Sequence, residues 1–317
     1  MAVENKKGRV CVTGGTGYLG SWMVKRLLED GYSVNTTTRI DPERKRDISF
    51  LTKLPGASER LQIFNADLDK PETFVPAIEG CVGVFHMAHP LDFQEKEPED
   101  VKVNRVIAGS QGILRACAES KTVRRVVYTS SLSAAAAYKG PSGGLQIDES
   151  SWTDVELVRS LRAFAGPYMV TKTLAEKAAI DCAEELGLDL VCVLPTWVTG
   201  PFNCTHIPDS VYVSMALIFV HVDDVARAHL HLFEYPEAKG RYLCAAVEFT
   251  IEKLCEFISA RYPEYKMPNP ESWKDLIPVK FSGISKEKLE ATGFKYENGL
   301  EEMFDGAIKS CKEKGFL

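Results

Sequence analysis

The sequence predicts an α/β protein, a doubly wound parallel sheet with a smaller carboxy-terminal lobe, on three observations. Short β-branched apolar runs alternate with longer segments of helical periodicity through roughly the first two-thirds of the 317 residues. The first apolar run ends in a cluster of glycines and opens into an amphipathic helix. Beyond Pro201 the alternation gives way to irregular, proline-bearing segments.

The expected strands, in order, are "RVCVTG", "SVNTTTR", "LQIFNADL", "GVFHMAH", "RRVVYTSS" and "LDLVCVLPTWVTG". Between them "YLGSWMVKRLLEDG", "PETFVPAIEG", the stretch 99–120 and "PYMVTKTLAEKAAIDCAEELG" carry apolar residues at three-and-four spacing, with charges on the opposite face. Strand–helix repeats with right-handed crossovers wind such a sheet in both directions from its first strand. After Pro201 a helix around "VDDVARAHLHLFE", a strand "GRYLCA" and helical segments from "TIEKLCEFISARYPEY" to the end complete the chain. The expected division is a cofactor domain over 1–200, to which 219–245 returns, and a substrate lobe over 201–218 and 246–317.

A net charge of −6, with basic residues scattered rather than striped, excludes a nucleic-acid footprint. No apolar run is long enough to span a bilayer, and "MAVENKKGRV" passes from polar residues straight into the first strand, so a soluble, cytoplasmic protein is expected. Nine scattered cysteines without a C-x-x-C pair read as reduced, mostly buried side chains. The six histidines show no metal-ligand spacing, and a satisfied structural role is expected for each; His89 is also placed to line a substrate cleft. A monomer is expected.

In "VCVTGGTGYLGSWMVKRLLEDGY" the strand–glycine turn–helix order is the context of dinucleotide binding, the mark of a Rossmann-type fold. Gly14 permits the tight turn, Gly17 the approach of a pyrophosphate and Gly20 close packing of the helix. The turn residues Thr16, Tyr18 and Leu19 belong to the same cradle, where free N–H groups at the helix N-terminus face phosphate. At the end of the second strand an acidic residue would select NAD, whereas this chain has Arg39, with Arg44 and Lys45 following. That favours the extra phosphate of NADP(H).

Tyr168 and Lys172 in "YMVTK" stand one helical turn apart and emerge on one face. A nearby ammonium stabilises the phenolate of a tyrosine, making a proton donor suited to carbonyl reduction. "VVYTSSLS" ends the fifth strand in hydroxyl residues at the sheet edge expected to face the cofactor, Ser131 among them.

The G-x-x-G-x-x-G spacing of "TGGTGYLG" followed by Ser131 and Tyr168-x-x-x-Lys172 resembles the extended short-chain dehydrogenase/reductases. The resemblance implies that Ser131 hydrogen-bonds the substrate oxygen, Tyr168 passes it a proton, and Lys172 holds the nicotinamide ribose and lowers the tyrosine pKa. It also implies that Asp67 and Leu68 contact the adenine, Met87 and Ala88 the ribose, and Pro195 and Val198 the carboxamide. Ser133 is a further substrate-side hydroxyl. From Gly8 to "CKEKGFL" the chain is similar to the plant reductases of the dihydroflavonol 4-reductase and cinnamoyl-CoA reductase group, above all to the vestitone reductase-like members that reduce isoflavanones. The stretch "DPERKRDISFLTKLPGASERLQIFNADL" carries that last likeness.

Three departures narrow what this implies. The tryptophan- and cysteine-bearing signature of the cinnamoyl-CoA reductases is absent. Ala136 stands where dihydroflavonol reductases carry a ring-contacting asparagine, an apolar wall in place of a hydrogen-bonding one. The join "SMALIFVHVDDV" is shorter than in relatives, so either the cleft is more open or loop residues are missing from the chain. The expected function is an NADPH-dependent reductase acting on a flavonoid- or isoflavonoid-type carbonyl. An alkaloid or phenylpropanoid lactol or aldehyde is the alternative substrate, and an NADP-binding sensor the non-enzymatic one. A nucleotide-sugar epimerase is disfavoured by Arg39.

Overall fold

The computed structural model describes residues 7–39, 47–90, 97–136, 146–161, 165–212, 218–265 and 283–317. Its strands are β1 (Arg9–Thr13), β2 (Ser33–Thr38), β3 (Leu61–Asn65), β4 (Gly83–His86), β5 (Arg125–Thr129), β6 (Leu190–Pro195), β7 (Trp197–Thr199), β8 (Ile218–His221), β9 (Gly240–Cys244) and β10 (Val247–Glu248). The longer helices are α1 (Tyr18–Glu29), α2 (Glu99–Ser120), α3 (Gly166–Leu186), α4 (Val222–Glu234), α5 (Ile251–Arg261) and α6 (Leu300–Glu313).

Seven strands form one parallel sheet in the order β3-β2-β1-β4-β5-β6-β9. The winding reverses between β1 and β4, where the register sets Thr13 opposite His86. Crossovers diverge there, and a crevice opens at the carboxyl ends of the strands. The sheet is covered on both faces, so its strands read as continuous apolar runs. Alternate residues divide between two cores. Val10, Val12, Val127, Val191 and Val193 pack with Met23 and Leu27 of α1 and Val225 and Leu232 of α4. Cys11, Val126, Tyr128 and Cys192 pack with Ile113 and Leu114 of α2 and Ala179 of α3. All nine cysteines are buried and free.

Two elements differ from the sequence expectation. "LDLVCVLPTWVTG" is two strands, because the chain leaves the central sheet after Pro195, which has no N–H to continue a ladder. β7 then pairs with β8, which pairs with β10, in a small mixed sheet. "PETFVPAIEG" is a 3-10 turn over Pro71–Phe74 and one α-turn over Val75–Ile78, since Pro76 breaks a longer hydrogen-bond ladder. The small sheet packs with α5 and α6 around Phe219, Leu254, Ile258, Met303 and Phe304. Among the described residues no helix is long and apolar enough to cross a membrane.

Candidate active site

The glycine turn follows β1 at the point where the winding reverses. Gly14 has φ +74°, and a Cβ there would lie 3.0 Å from Ala88 Cα, so both backbone conformation and space demand glycine. Gly20 is equally constrained: its Cβ would fall 2.2 Å from the Gly14 carbonyl oxygen. The close approach is therefore between helix and turn. Gly17 differs, since with φ −76° a Cβ would make only ordinary contact, 3.4 Å from Gly14 O. It caps α1 with no side-chain acceptor, which leaves the first N–H groups of the helix for something outside the chain. Gly14 N donates to Thr37 Oγ1 and Gly15 N to Thr37 O, each at 3.0 Å, pinning the turn to β2.

A second pin ties β1 to β4. Thr13 Oγ1 accepts from the N–H groups of Met87 and Ala88, both at 3.0 Å, so its own proton goes to His86 Nδ1 at 2.9 Å. His86 Nε2–H then donates to Ser110 Oγ at 3.2 Å. Burial, aided by the Lys172 charge, keeps this imidazole neutral, with its pKa lowered to about 3. Met87 and Ala88 are thereby held directly beside the turn.

The remaining cofactor-side expectations fall at the same edge with different surroundings. Thr16 is buried behind the turn, within 3.5 Å of the Thr38 hydroxyl. The Tyr18 hydroxyl donates to Gly200 O at 3.1 Å and Leu19 packs on the core, leaving the backbone of both for a ligand. Arg39 is exposed just beyond β2; Arg44 and Lys45 lie outside the described residues. Asp67 and Leu68 follow β3 in a tight turn, in which Asp67 Oδ1 accepts from Asp69 N at 3.2 Å. Pro195 ends β6, whereas Val198 belongs to β7 of the small sheet.

The polar group after β5 is built by the fifth strand and α3. Ser131 Oγ accepts from Ser133 N at 3.2 Å and is hydrogen-bonded to the Tyr168 hydroxyl. Burial pushes the Tyr168 hydroxyl pKa up, and Ser131 opposes it. Lys172, 4% exposed, donates from Nζ to Thr129 O at 3.2 Å, at the end of the strand that leads to Ser131. Burial lowers its pKa to about 8, against the pull of Glu176. Ser131, Tyr168 and Lys172 are thus brought together, although Ser131, not Lys172, is the group that favours the phenolate.

Around them, Ser133 and Ala136 are half-buried in the turn that follows Ser131. The His89 ring stands edge-on to Tyr168, centroids 6.0 Å apart and planes at 88°. Its Nε2 is buried without a hydrogen-bond partner among the described residues, which departs from the expected satisfied histidine. Burial and the Lys172 charge hold this imidazole neutral. By contrast His229 is satisfied: Nδ1 donates to Val225 O at 2.7 Å and Nε2 accepts from Thr129 Oγ1 at 2.8 Å. Sequence reasoning missed Glu176 and Arg241, a buried pair behind Lys172. The signal available was an acid on the same helical stripe as Tyr168 and Lys172.

A doubly wound sheet with a glycine turn at its switch point and a Ser–Tyr–Lys group on the same edge defines a Rossmann-fold oxidoreductase. Residues 10–217 match the model of the NAD dependent epimerase/dehydratase family, and the chain belongs to that family, in its extended short-chain dehydrogenase/reductase branch. It is 49% identical over 324 residues to vestitone reductase of Medicago sativa, covering 98% of this chain and 99% of that one. The crystal structure of that alfalfa enzyme superposes with a TM-score of 0.85 at 46% identity, covering 98% and 100% of the two chains. Dihydroflavonol 4-reductase of Zea mays is 43% identical over 333 residues, covering 100% of this chain and 92% of its own. Yeast methylglyoxal/isovaleraldehyde reductase, solved in complex with NADPH, shares the fold with a TM-score of 0.81 at 24% identity over 98% of this chain and 100% of its own.

Proposed function

We propose that this protein is an NADPH-dependent reductase of the ketone or aldehyde carbonyl of a plant aromatic metabolite of flavonoid or isoflavonoid type. The observation that carries the reading is the Ser131–Tyr168 hydrogen bond, with Lys172 held against the end of the same strand. The glycine turn, the uncapped start of α1 and the exposed Arg39 fit a dinucleotide with a 2′-phosphate. In this reading Asp67 and Leu68 hold the adenine end, Met87, Ala88 and Lys172 the nicotinamide ribose, and Pro195 and Val198 the carboxamide. Residues 1–200 and 219–245 form the cofactor half, and 201–218 and 246–317 close over the substrate.

When bound, NADPH supplies a hydride to the carbonyl carbon. The protein's part is to manage the oxygen. Ser131 donates a hydrogen bond to it, and Tyr168, protonated because burial raises its pKa, delivers the proton as negative charge develops. The Ser131 hydrogen bond stabilises the phenolate left behind, and Lys172 keeps its place at the nicotinamide ribose. His89 offers the only described buried imidazole nitrogen without a partner, beside the Tyr168 ring, and in this reading Ser133 and Ala136, half-buried after Ser131, also meet the substrate. An aromatic substrate with one hydroxyl near its carbonyl satisfies this mixture of apolar wall and single polar contact.

The test is loss of NADPH absorbance against isoflavanones, dihydroflavonols, cinnamoyl-CoA esters and simple aldehydes. One aromatic ketone class should turn over, and Tyr168→Phe should lower its kcat by ~10²–10⁴-fold while NADPH still binds. Equal turnover by wild type and Tyr168→Phe would overturn the assignment.

A further inference from the structure

Behind the Ser–Tyr–Lys group lies an ion pair that the chemistry above leaves unused. Glu176, with no exposed side-chain surface, sits one turn beyond Lys172, so Tyr168, Lys172 and Glu176 succeed one another along one face of α3. Its Oε1 accepts from Arg241 Nε at 2.7 Å, and its Oε2 from Ser130 Oγ at 2.5 Å and Arg241 Nη2 at 3.4 Å. Ser130 is the residue immediately before Ser131.

Arg241 reaches in from β9 at the sheet edge. Its Nη1 donates to the carbonyls of Glu149 at 2.9 Å and Ser151 at 2.6 Å, and its guanidinium lies 3.7 Å over the Trp152 ring. The segment it holds leads to Thr153, whose N–H donates to Ala134 O at 2.9 Å and whose hydroxyl donates to Ser133 O at 2.8 Å. The turn that carries Ser131 is therefore buttressed, through Arg241, by the acid that stands behind Lys172. A buried ion pair is a poor source of stability, because desolvation offsets most of its attraction. Its worth lies in fixing positions.

We propose that Glu176 and Arg241 are positioning residues of this active site, their ion pair clamping together the segments that carry Ser131, Tyr168 and Lys172 and setting a negative charge one turn behind the Lys172 ammonium. The inference rests on the reductase reading of those three residues. Glu176 is faced by Arg241 from β9, Ser130 and Tyr128 from the β5 side, Cys192 from β6 and Lys172 on its own helix. Lys172 is faced by the neutral rings of His86 and His89, and the Lys102 cation also acts on His89. Burial drives Lys172 towards the uncharged form, and Glu176 is the group that resists. Removing that carboxylate while keeping its shape should discharge Lys172 at lower pH.

The experiment reads Lys172 directly in the cofactor-free protein, by NMR titration of ¹³Cε-lysine, with the resonance assigned from its loss in Lys172→Met. The wild-type midpoint is expected near 8. Glu176→Gln should lower it by about one pH unit or more. Arg241→Lys, which keeps both charges but loses the fork, should leave it in place and reduce kcat for an isoflavanone by ~10- to 100-fold at saturating NADPH. If Glu176→Gln does not fold because Arg241 is left unpaired, Glu176→Gln/Arg241→Met carries a smaller displacement in the same direction without an orphaned charge, because the carboxylate is the group that holds Lys172 charged. A Lys172 midpoint unmoved in a folded Glu176→Gln or double variant overturns the proposal, as does an Arg241→Lys enzyme with unchanged kcat. A midpoint that moves as expected in a protein that reduces no carbonyl leaves the clamp standing and overturns the reductase reading instead.

Discussion

At the scale of single residues, the groups legible in the sequence are those whose chemistry depends on near neighbours in the chain. Gly14 is demanded by its own positive φ, Gly20 by a contact within one turn, and Tyr168 and Lys172 stand one helical period apart. Arg39 follows the last residue of β2 and stands exposed at that strand end, and in the proposed reading it meets a ribose phosphate. Replacing it by aspartate exchanges a cation suited to the 2′-phosphate for an acceptor suited to a ribose hydroxyl. The ratio of kcat/KM for NADPH over NADH should fall roughly ten- to hundredfold in Arg39→Asp, the worth of one charged hydrogen bond. Parallel assays with the two cofactors measure it, and an unchanged ratio would remove Arg39 from the cofactor site. The His89 nitrogen that has no partner among the described residues and the Arg241–Glu176 pair were not legible in this way. Both arise where segments far apart in sequence meet, and no local pattern marks which buried polar atom will find a partner.

At the scale of elements, α4 shows how two adjacent acids serve different neighbours. Asp223 takes the Trp22 indole N–H at 2.8 Å and Arg26 at 3.0 Å, fastening α4 to α1. Asp224, fully buried, accepts from the N–H groups of Glu297 and Asn298 at 3.0 Å each, from Asn298 Nδ2 at 3.2 Å and from Arg227 at 2.7 Å. It thus satisfies the backbone of the segment that leads into α6. Their place in the first turn of α4 also suits the helix dipole. "VHVDDV" was readable as a helix start, but nothing in it announced a bond to residues more than seventy positions later. Asp224→Asn keeps the shape and removes one of the two oxygen acceptors, so a buried N–H and Arg227 lose their partner. A loss of about 3 kcal/mol is expected, read as a lower urea midpoint together with faster amide exchange in α6. Loss of the midpoint without faster exchange in α6 would show that Asp224 does not hold that helix in place.

At the scale of the whole molecule, the parallel sheet was legible because alternating strand and helix patterns admit few right-handed windings, whereas the split after Pro195 was not. A strand that changes sheets keeps its apolar pattern, and only the partners available at the edge reveal the change. The finished packing also dictates a pH response. His86 and His229 are buried between the sheet and its helices, each with both ring nitrogens already bonded, and burial lowers their pKa values to about 3 and about 4 from 6.5. His221 is displaced in the same direction by its burial. An unfolded chain would take up protons on these rings below pH 6.5, while the folded protein refuses them. The unfolded state therefore binds more protons in that window, so stability rises with pH across it and is lost as pH falls. By about pH 5 the cost is of the order of 2 kcal/mol each for His86 and His229, before most carboxylates titrate. The urea midpoint should drop steadily as the pH falls below 6.5. In His229→Gln, which can donate to Val225 O and accept from Thr129, the slope should be shallower by one proton's worth. A midpoint that stays level until carboxylates titrate would mean that these rings are already charged in the fold, and the Thr13–His86–Ser110 pin beside the glycine turn would need its protons reassigned.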